Sequence, residues 1–312
     1  VILSGFARRL LQLIPVFIAI SFITFIITRL TGDPTDLLLP LDATSEAREA
    51  LRENLGLDGP LWLQYLRFMG GVFQGDFGDS FRYRQPALGI VVERIPATLE
   101  LAGAALGVAL LVGLPLGIIA ALKHGTWIDN VVQFGAFVGQ AMPTFYTGLL
   151  GLVFIAINVS WIPSGGYEPH SLRHLVLPAL TLAPFMIAII ARFTRSSVLD
   201  VMGRDYVRTA RAKGITEQRV TFLHILRNAL IPVVTIIGLQ IGALLGGAVI
   251  TEVVFGWPGI GRLAVTSVLQ RDFPVVQAII MLTSVAFVLI NQIVDVIYTW
   301  LDPRIDVYGS AR

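Results

Sequence analysis

The sequence predicts an all-α, polytopic membrane protein with six transmembrane helices, and three observations carry that expectation. Hydrophobic residues make up 55% of the 312-residue chain and charged residues only 14%, against about 45–50% apolar and about 25% charged in an average soluble domain. Uncharged runs recur at 10–28, 101–122, 130–167, 174–191, 229–251 and 273–294, and about 20 apolar residues cross a hydrocarbon core of about 30 Å. Basic residues gather at Arg8–Arg9 and again in 192–228, where eight face three acidic ones. The positive-inside rule puts both regions on the cytoplasmic side.

Two points on one side require an even number of crossings between them. The run 130–167 has 38 residues, enough for two spans, but parity selects one and leaves Trp161–Gly166 as an external turn. The expected helices are 10–29, 99–122, 131–158, 174–192, 229–251 and 275–299, with both termini inside. The first run exceeds a signal-peptide core of about 7–15 residues, so residues 1–29 are expected to form the N-terminus and a retained first span. Residues 30–98 form an extracytoplasmic cap, and 99–312 the five-helix core. In the cap, Ser45–Leu55 has an N-cap residue and sets Ala47, Leu51 and Leu55 on one face before Gly56, the pattern of a short amphipathic helix.

Glycines spaced four apart, at 103/107, 113/117, 135/139 and 238/242/246, are expected to let helix backbones approach closely. Prolines 115, 143, 178, 184 and 232 are expected to bend or open spans. Polar side chains inside spans are costly unless they face protein or water. Gln140, Gln240, Asn291 and Asp295 are the candidates for a pathway or for interhelical hydrogen bonding, with Asn291 and Asp295 one turn apart.

Several chemistries have no support. The chain has no cysteine, hence no disulfide and no thiolate metal site. His170 and His174 are spaced as metal ligands but border a turn, and no metal is expected. No catalytic signature such as G-x-S-x-G or H-E-x-x-H occurs. A net charge of +2 does not argue for nucleic acid. The two lysines, followed by His124 and by Gly214, cannot complete a phosphate-binding P-loop. If ATP drives transport, another chain binds it, and this one needs a cytoplasmic surface to receive the stroke. The candidate is the loop 193–228. Within it Asp205–Lys213 favours helix, Gly214 stops it, and a second helix starts at Thr216.

This loop resembles that of permease subunits of ABC importers, which carry an E-A-A-x-x-x-G motif. With the glycine set on Gly214, Arg208, Thr209 and Ala210 stand at E-A-A, and only Ala210 and Gly214 match. The form Asp205-Tyr-Val-Arg-Thr-Ala-Arg-Ala-Lys-Gly214, followed by Leu226-Arg-Asn-Ala-Leu-Ile-Pro232, is similar to the dipeptide and oligopeptide branch. So are Gln64-Tyr65, Gly75–Ser80, Arg94–Ala102, Gly238–Gly242, Thr251–Gly261 and Asp302–Arg304. Most of these motifs also occur in nickel and glutathione permeases.

The resemblance implies a type I ABC importer permease fold with an insertion between helices 1 and 2, in the inner (plasma) membrane of a prokaryote. It implies the first permease of a pair, working with a second homologous permease, two ATP-binding subunits holding ATP and Mg, and an extracytoplasmic solute-binding protein. The chain itself then needs no cofactor and is no enzyme. Asp205, Tyr206, Arg208, Thr209, Ala210, Arg211, Lys213 and Gly214 become the ATPase-coupling residues. Glu252, Trp257 and Arg262 become candidates for the rim that meets the binding protein. The competing expectation is an ion-coupled secondary transporter using Asp295 and Glu252.

Overall fold

The computed structural model describes residues 2–30, 35, 39, 43–54 and 56–301. They divide into two compact units, Val1–Pro96 with Arg262–Val288, and Ala97–Gly261 with Leu289–Arg312.

In the first unit, helix α1 (Ile2–Leu30) turns Ile14, Ile18, Phe22, Ile23 and Ile27 outward. An apolar face of this kind needs lipid. Its inner face meets α3 (Leu61–Phe73) through Tyr65, whose hydroxyl lies 2.8 Å from Ser21 Oγ and whose ring packs edge-on against Phe25. The predicted amphipathic helix is α2 (Ser45–Asn54); Thr44 rather than Ser45 caps it, its Oγ1 accepting from Ala47 N, and Gly56 follows at φ +65°. Leu55 lies outside the described residues. Gln64 closes the α2–α3 turn by donating to the carbonyls of Leu57 and Gly59 at 2.8 and 2.7 Å.

The segment Gly75–Ser80 is a tight turn leading to α4 (Ala87–Val92), with Gly75 and Gly78 at φ +77° and +84°. Those angles explain both glycines. The turn is fixed by buried Asp272, which accepts from Ser80 Oγ and, at 3.1 Å, from Phe81 N.

The second unit is built around one long helix. In chain order its elements are α5 (Ile95–Leu122), α6 (Trp127–Ala141), α7 (Thr144–Gly151), α8 (Leu172–Met202), α9 (Asp205–Ala212), α10 (Arg227–Gly247) and α11 (Val249–Val254). Most of α12 (Ile260–Leu269) and the first part of α13 (Phe273–Leu301) belong to the first unit. Helix α8 is the mast, in contact with α5, α6, α7 and α10. Among the described residues four helical segments are long and apolar enough to cross a membrane, or five when the bent pair described next counts as one.

Three expected elements differ from the structure. The span at 131–158 is two helices, α6 and α7, the latter prolonged by a π-helical segment, Leu152–Ala156, and the pair is bent by 100°. Pro143 has no N–H and disfavours helical backbone in the residue before it; Met142 accordingly takes φ −77°, ψ 126°. The helix expected at 174–192 runs on to Met202, because its basic end contains no breaker before Gly203. The second loop helix is not separate. Glu217–Arg219 and a π-helical segment, Val220–Leu226, lead into α10 with helical backbone at Arg219 and Arg227, so they form the foot of the next long helix.

The four-residue glycine spacing is half structural. A Cβ on Gly117 would lie 2.5 Å from Ala191 O, one on Gly113 3.1 Å from Ile190, and one on Gly139 3.0 Å from Pro184 O, so these glycines let α5 and α6 touch the backbone of α8. Gly238 likewise faces Val294. Gly103, Gly107 and Gly135 have nothing within 4 Å. The surroundings of Gly246 lie outside the described residues. Gly117→Val is therefore expected to cost about 3 kcal/mol or more, read as a fall in the thermal midpoint of the purified complex. Gly107→Ala is expected to be neutral or slightly stabilising. Equal effects at both positions would mean that the crossing is looser than this geometry.

Candidate functional site

Helix α9 is an eight-residue helix pinned on one face. Val207 and Ala210 are buried in an apolar cluster with Ala121, Val198, Val220, Ile225, Leu226 and Ala229. Its C-terminus closes with two bonds, Gly214 N to Arg211 O at 2.9 Å and Ile215 N to Ala210 O at 3.4 Å. This is the Schellman pattern, and it requires the left-handed backbone that Gly214 supplies at φ +76°. Ile215 packs onto the same cluster. Arg211 reaches across the turn to Glu217, Nε–Oε1 2.7 Å, tying the helix to the foot of α10.

The outward face carries Asp205, Tyr206, Arg208, Thr209, Arg211 and Lys213. Arg208 is 74% exposed and meets Asp205 at 3.7 Å; a pair so wet adds little. Asp205 lies in the first turn and Arg211 in the last, as the helix dipole favours. Thr209 turns its hydroxyl back to Asp205 O at 2.9 Å. The result is a rigid, basic, solvent-facing ledge. Six of the eight predicted coupling residues lie on it; Ala210 is its anchor and Gly214 closes its end.

The rim residues do not share one surface. Glu252 and Trp257 are both 0% exposed, which corrects their expected presentation to a partner. Glu252 Oε1 accepts from Thr98 Oγ1 at 2.9 Å, and Thr98 Oγ1 accepts from Ile260 N at 2.8 Å. Trp257 donates its indole N–H to Ala97 O at 2.8 Å and stands edge-on to Tyr167, centroids 4.7 Å apart. Burial, reinforced by the carboxylate of Glu100 that accepts its hydroxyl, pushes the Tyr167 phenol above its ordinary range. A Cβ on Gly259 would fall on the Glu252 carboxylate. Two motifs about 160 residues apart thus meet as an interior knot. Only Arg262 of the three is exposed.

Of the polar residues in spans, Gln240 and Asn291 are half-buried and Gln140 is exposed. The side chain of Asp295 lies outside the described residues. Gln140 Oε1 accepts from Arg192 Nη1 at 2.6 Å. Beside it stands a network that the sequence reading missed. Asp129, buried near the start of α6, receives Arg195 Nε at 2.6 Å and Nη2 at 2.7 Å, with His124 Nδ1 at 3.0 Å and Gly125 N at 3.1 Å. The signal available was a lone Asp at the edge of an apolar run, and nothing in its spacing named a partner. His170 N donates to Glu100, while His174 Nδ1 meets Ser171 Oγ. Among the described residues no cluster suits a metal ion.

Long apolar helices, a solvent-facing basic helix anchored between two of them, and polar groups set inside the spans define a multi-spanning membrane permease. The chain belongs to the family described as binding-protein-dependent transport system inner membrane component, whose model matches residues 113–307; the N-terminal model of that system matches residues 2–102. It is a permease subunit of an ABC-type transporter and not an enzyme.

Relatives include the oligopeptide transport system permease protein AppB of Bacillus subtilis, 40% identical over 96% of this chain and 98% of the relative. The di/tripeptide transport system permease protein DppB of Pseudomonas aeruginosa is 42% identical over 97% and 98%. The glutathione transport system permease protein GsiC of Escherichia coli K12 is 43% identical over 96% and 97%. Among solved structures, the inward-facing MetNI methionine ABC transporter aligns with a TM-score of 0.58 at 19% identity, over 68% of this chain and 96% of the other. That likeness concerns the fold.

Proposed function

We propose that the chain is one permease of a heterodimeric pair in an ATP-driven importer of di- or oligopeptides. The observation that carries this reading is the 40–43% identity, over nearly the full length of each chain, to permeases named for oligopeptides, di/tripeptides and glutathione. All three names describe peptides or a peptide derivative. In this reading the chain is the first permease of its pair, a second homologous permease completes the pathway, and an extracytoplasmic binding protein delivers the solute. Two ATPase subunits hold ATP and Mg and press on the ledge of α9 in the loop 193–228.

The reading also assigns topology. Six helices cross the membrane, with the bent α6–α7 pair as one crossing. Both termini are cytoplasmic, and residues 30–98 form the external cap. Basic residues concentrated in 192–228 support that orientation. Exposed Arg262 remains the rim residue for the binding protein. ATP shifts the permease between two arrangements only if the ATPases hold one of them more tightly, and a ledge as rigid as α9 suits that role.

The test is uptake into proteoliposomes holding both permeases and both ATPases, with the binding protein added outside. Labelled dipeptide, oligopeptide, glutathione and nickel are offered in turn, with and without ATP. ATP-dependent uptake of at least one peptide substrate is expected. Uptake that ignores ATP depletion, or that is confined to nickel, would sink the reading.

A further inference from the structure

We infer that Arg192 and Gln140 form a carboxylate-binding site at the cytoplasmic end of α8, which takes the C-terminal carboxylate of the passing peptide. The inference rests on the peptide-import reading above. The two side chains line a cavity of about 440 Å³ together with Gln133, Ile189, Phe193, Arg195 and Ser196. Arg192 directly follows the uncharged stretch 174–191 of α8, at its cytoplasmic end, and both it and Gln140 are exposed in this chain.

Two arginines one turn apart make the contrast. The guanidinium of Arg195 is neutralised by a two-pronged contact with Asp129, at 2.6 and 2.7 Å. With its amide oxygen turned inward, Gln133 accepts from Arg195 as well, at 2.9 and 3.1 Å. Arg195 is a structural cation. Arg192 makes one hydrogen bond among the described residues, to the neutral Gln140 Oε1 at 2.6 Å, and no carboxylate lies within ion-pair reach of it. Its guanidinium is held in place with no carboxylate partner among the described residues.

Holding Arg192 also orients Gln140. Its oxygen is occupied, so its amide nitrogen is the group left to donate. The cavity thus offers a planar guanidinium fork and an amide donor, and no acidic group remains available in its lining. That set suits a flat, two-oxygen anion. The side chains of Ile189 and Phe193 add an apolar wall beside the fork. A peptide free in solution has one terminal carboxylate next to a side chain that is often apolar, and it fits this arrangement end-on. The phosphate of an anionic lipid shares the charge, and the experiment separates the two.

The test uses the complex of both permeases and both ATPases, without binding protein, in nanodiscs made either with neutral lipid alone or with added phosphatidylglycerol. Binding of labelled Ala-Phe is compared with that of its C-terminal amide. The acid is expected to bind about tenfold more tightly than the amide. In Arg192→Gln the preference is expected to vanish, while Arg192→Lys keeps part of it, and Gln140→Ala weakens the acid more than the amide.

Unchanged preference for the acid in Arg192→Gln overturns the site. So does an effect that appears only when phosphatidylglycerol is present, which gives the cation to a lipid. Loss of the second permease from purified Arg192→Gln complex would instead place the arginine at a subunit contact. If the wild-type complex binds neither probe the site is refuted, while ATP-dependent uptake in proteoliposomes still decides the transport function on its own.

Discussion

Gly259→Ala is expected to destabilise the permease by about 3 kcal/mol, and the same substitution in a Glu252→Ala background by less than about 1 kcal/mol. The Cβ introduced at residue 259 lands on the Glu252 carboxylate, which sits at 0% exposure with Thr98 and the Ile260 N–H linked through it. The carboxylate cannot retreat without giving up its bond from Thr98, and a buried polar group left unsatisfied costs about 1–3 kcal/mol. Removing the carboxylate removes the obstacle, so the two substitutions must not add. The measurement is a double-mutant cycle on unfolding midpoints of the detergent-purified complex. Strict additivity would show that the glycine is there for some other reason.

Val207→Asp is expected to uncouple ATP hydrolysis from uptake while the chain still inserts. Val207 is one of two side chains that fasten α9 to the apolar cluster beneath it, and an ionised carboxylate cannot stay in that cluster without a partner. In the proposed reading the ledge then lifts, and the ATPases are left pressing on a loose segment. Peptide uptake should fall at least about tenfold, equivalent to about 1.4 kcal/mol or more in the coupled step, with the ATP consumed per peptide rising accordingly. Gly214→Pro is expected to act in the same direction, because proline cannot adopt the φ of +76° found there. Normal peptide-stimulated hydrolysis and uptake in Val207→Asp would refute the role of the ledge.

The elements that the sequence disclosed are those whose signal is local. Each uncharged run except 130–167 contains a long helix, because spanning lipid demands length and apolarity within one stretch. The ledge was legible for the same reason. Alanines among basic residues favour helix, and Gly214 marks the stop that a Schellman closure needs. Pro143 was read as a possible kink and turned out to break a span by 100°; sequence shows the missing N–H but not whether neighbours will satisfy the freed carbonyls.

What stayed hidden depends on partners distant in sequence. Glu252 was a rim candidate through the family resemblance, and only the fold brings Thr98 to it. The same holds for Asp129 and Arg195, separated by 66 positions. Glycine spacing carried half of its message. Period four finds a flat stripe, but Gly113 and Gly117 meet the backbone of α8 whereas Gly103 and Gly107 meet nothing.

Contacts made backbone to backbone have a mechanical consequence. Helices α5 and α6 meet α8 at Gly117 and Gly139 with no side chain between, and Gly148 and Gly151 seat α7 on the same mast through Thr181 and Leu177. Side chains can slide over one another by changing rotamer, but carbonyls lodged against a glycine cannot, so such joints resist shear. Of the two arms of the 100° elbow, only α6 is joined to α8 in this way, at Gly139, while α7 rests on side chains that can change rotamer. Relative motion of α5, α6 and α8 is therefore the most restricted, and α7 is the arm with freedom to shift on the mast.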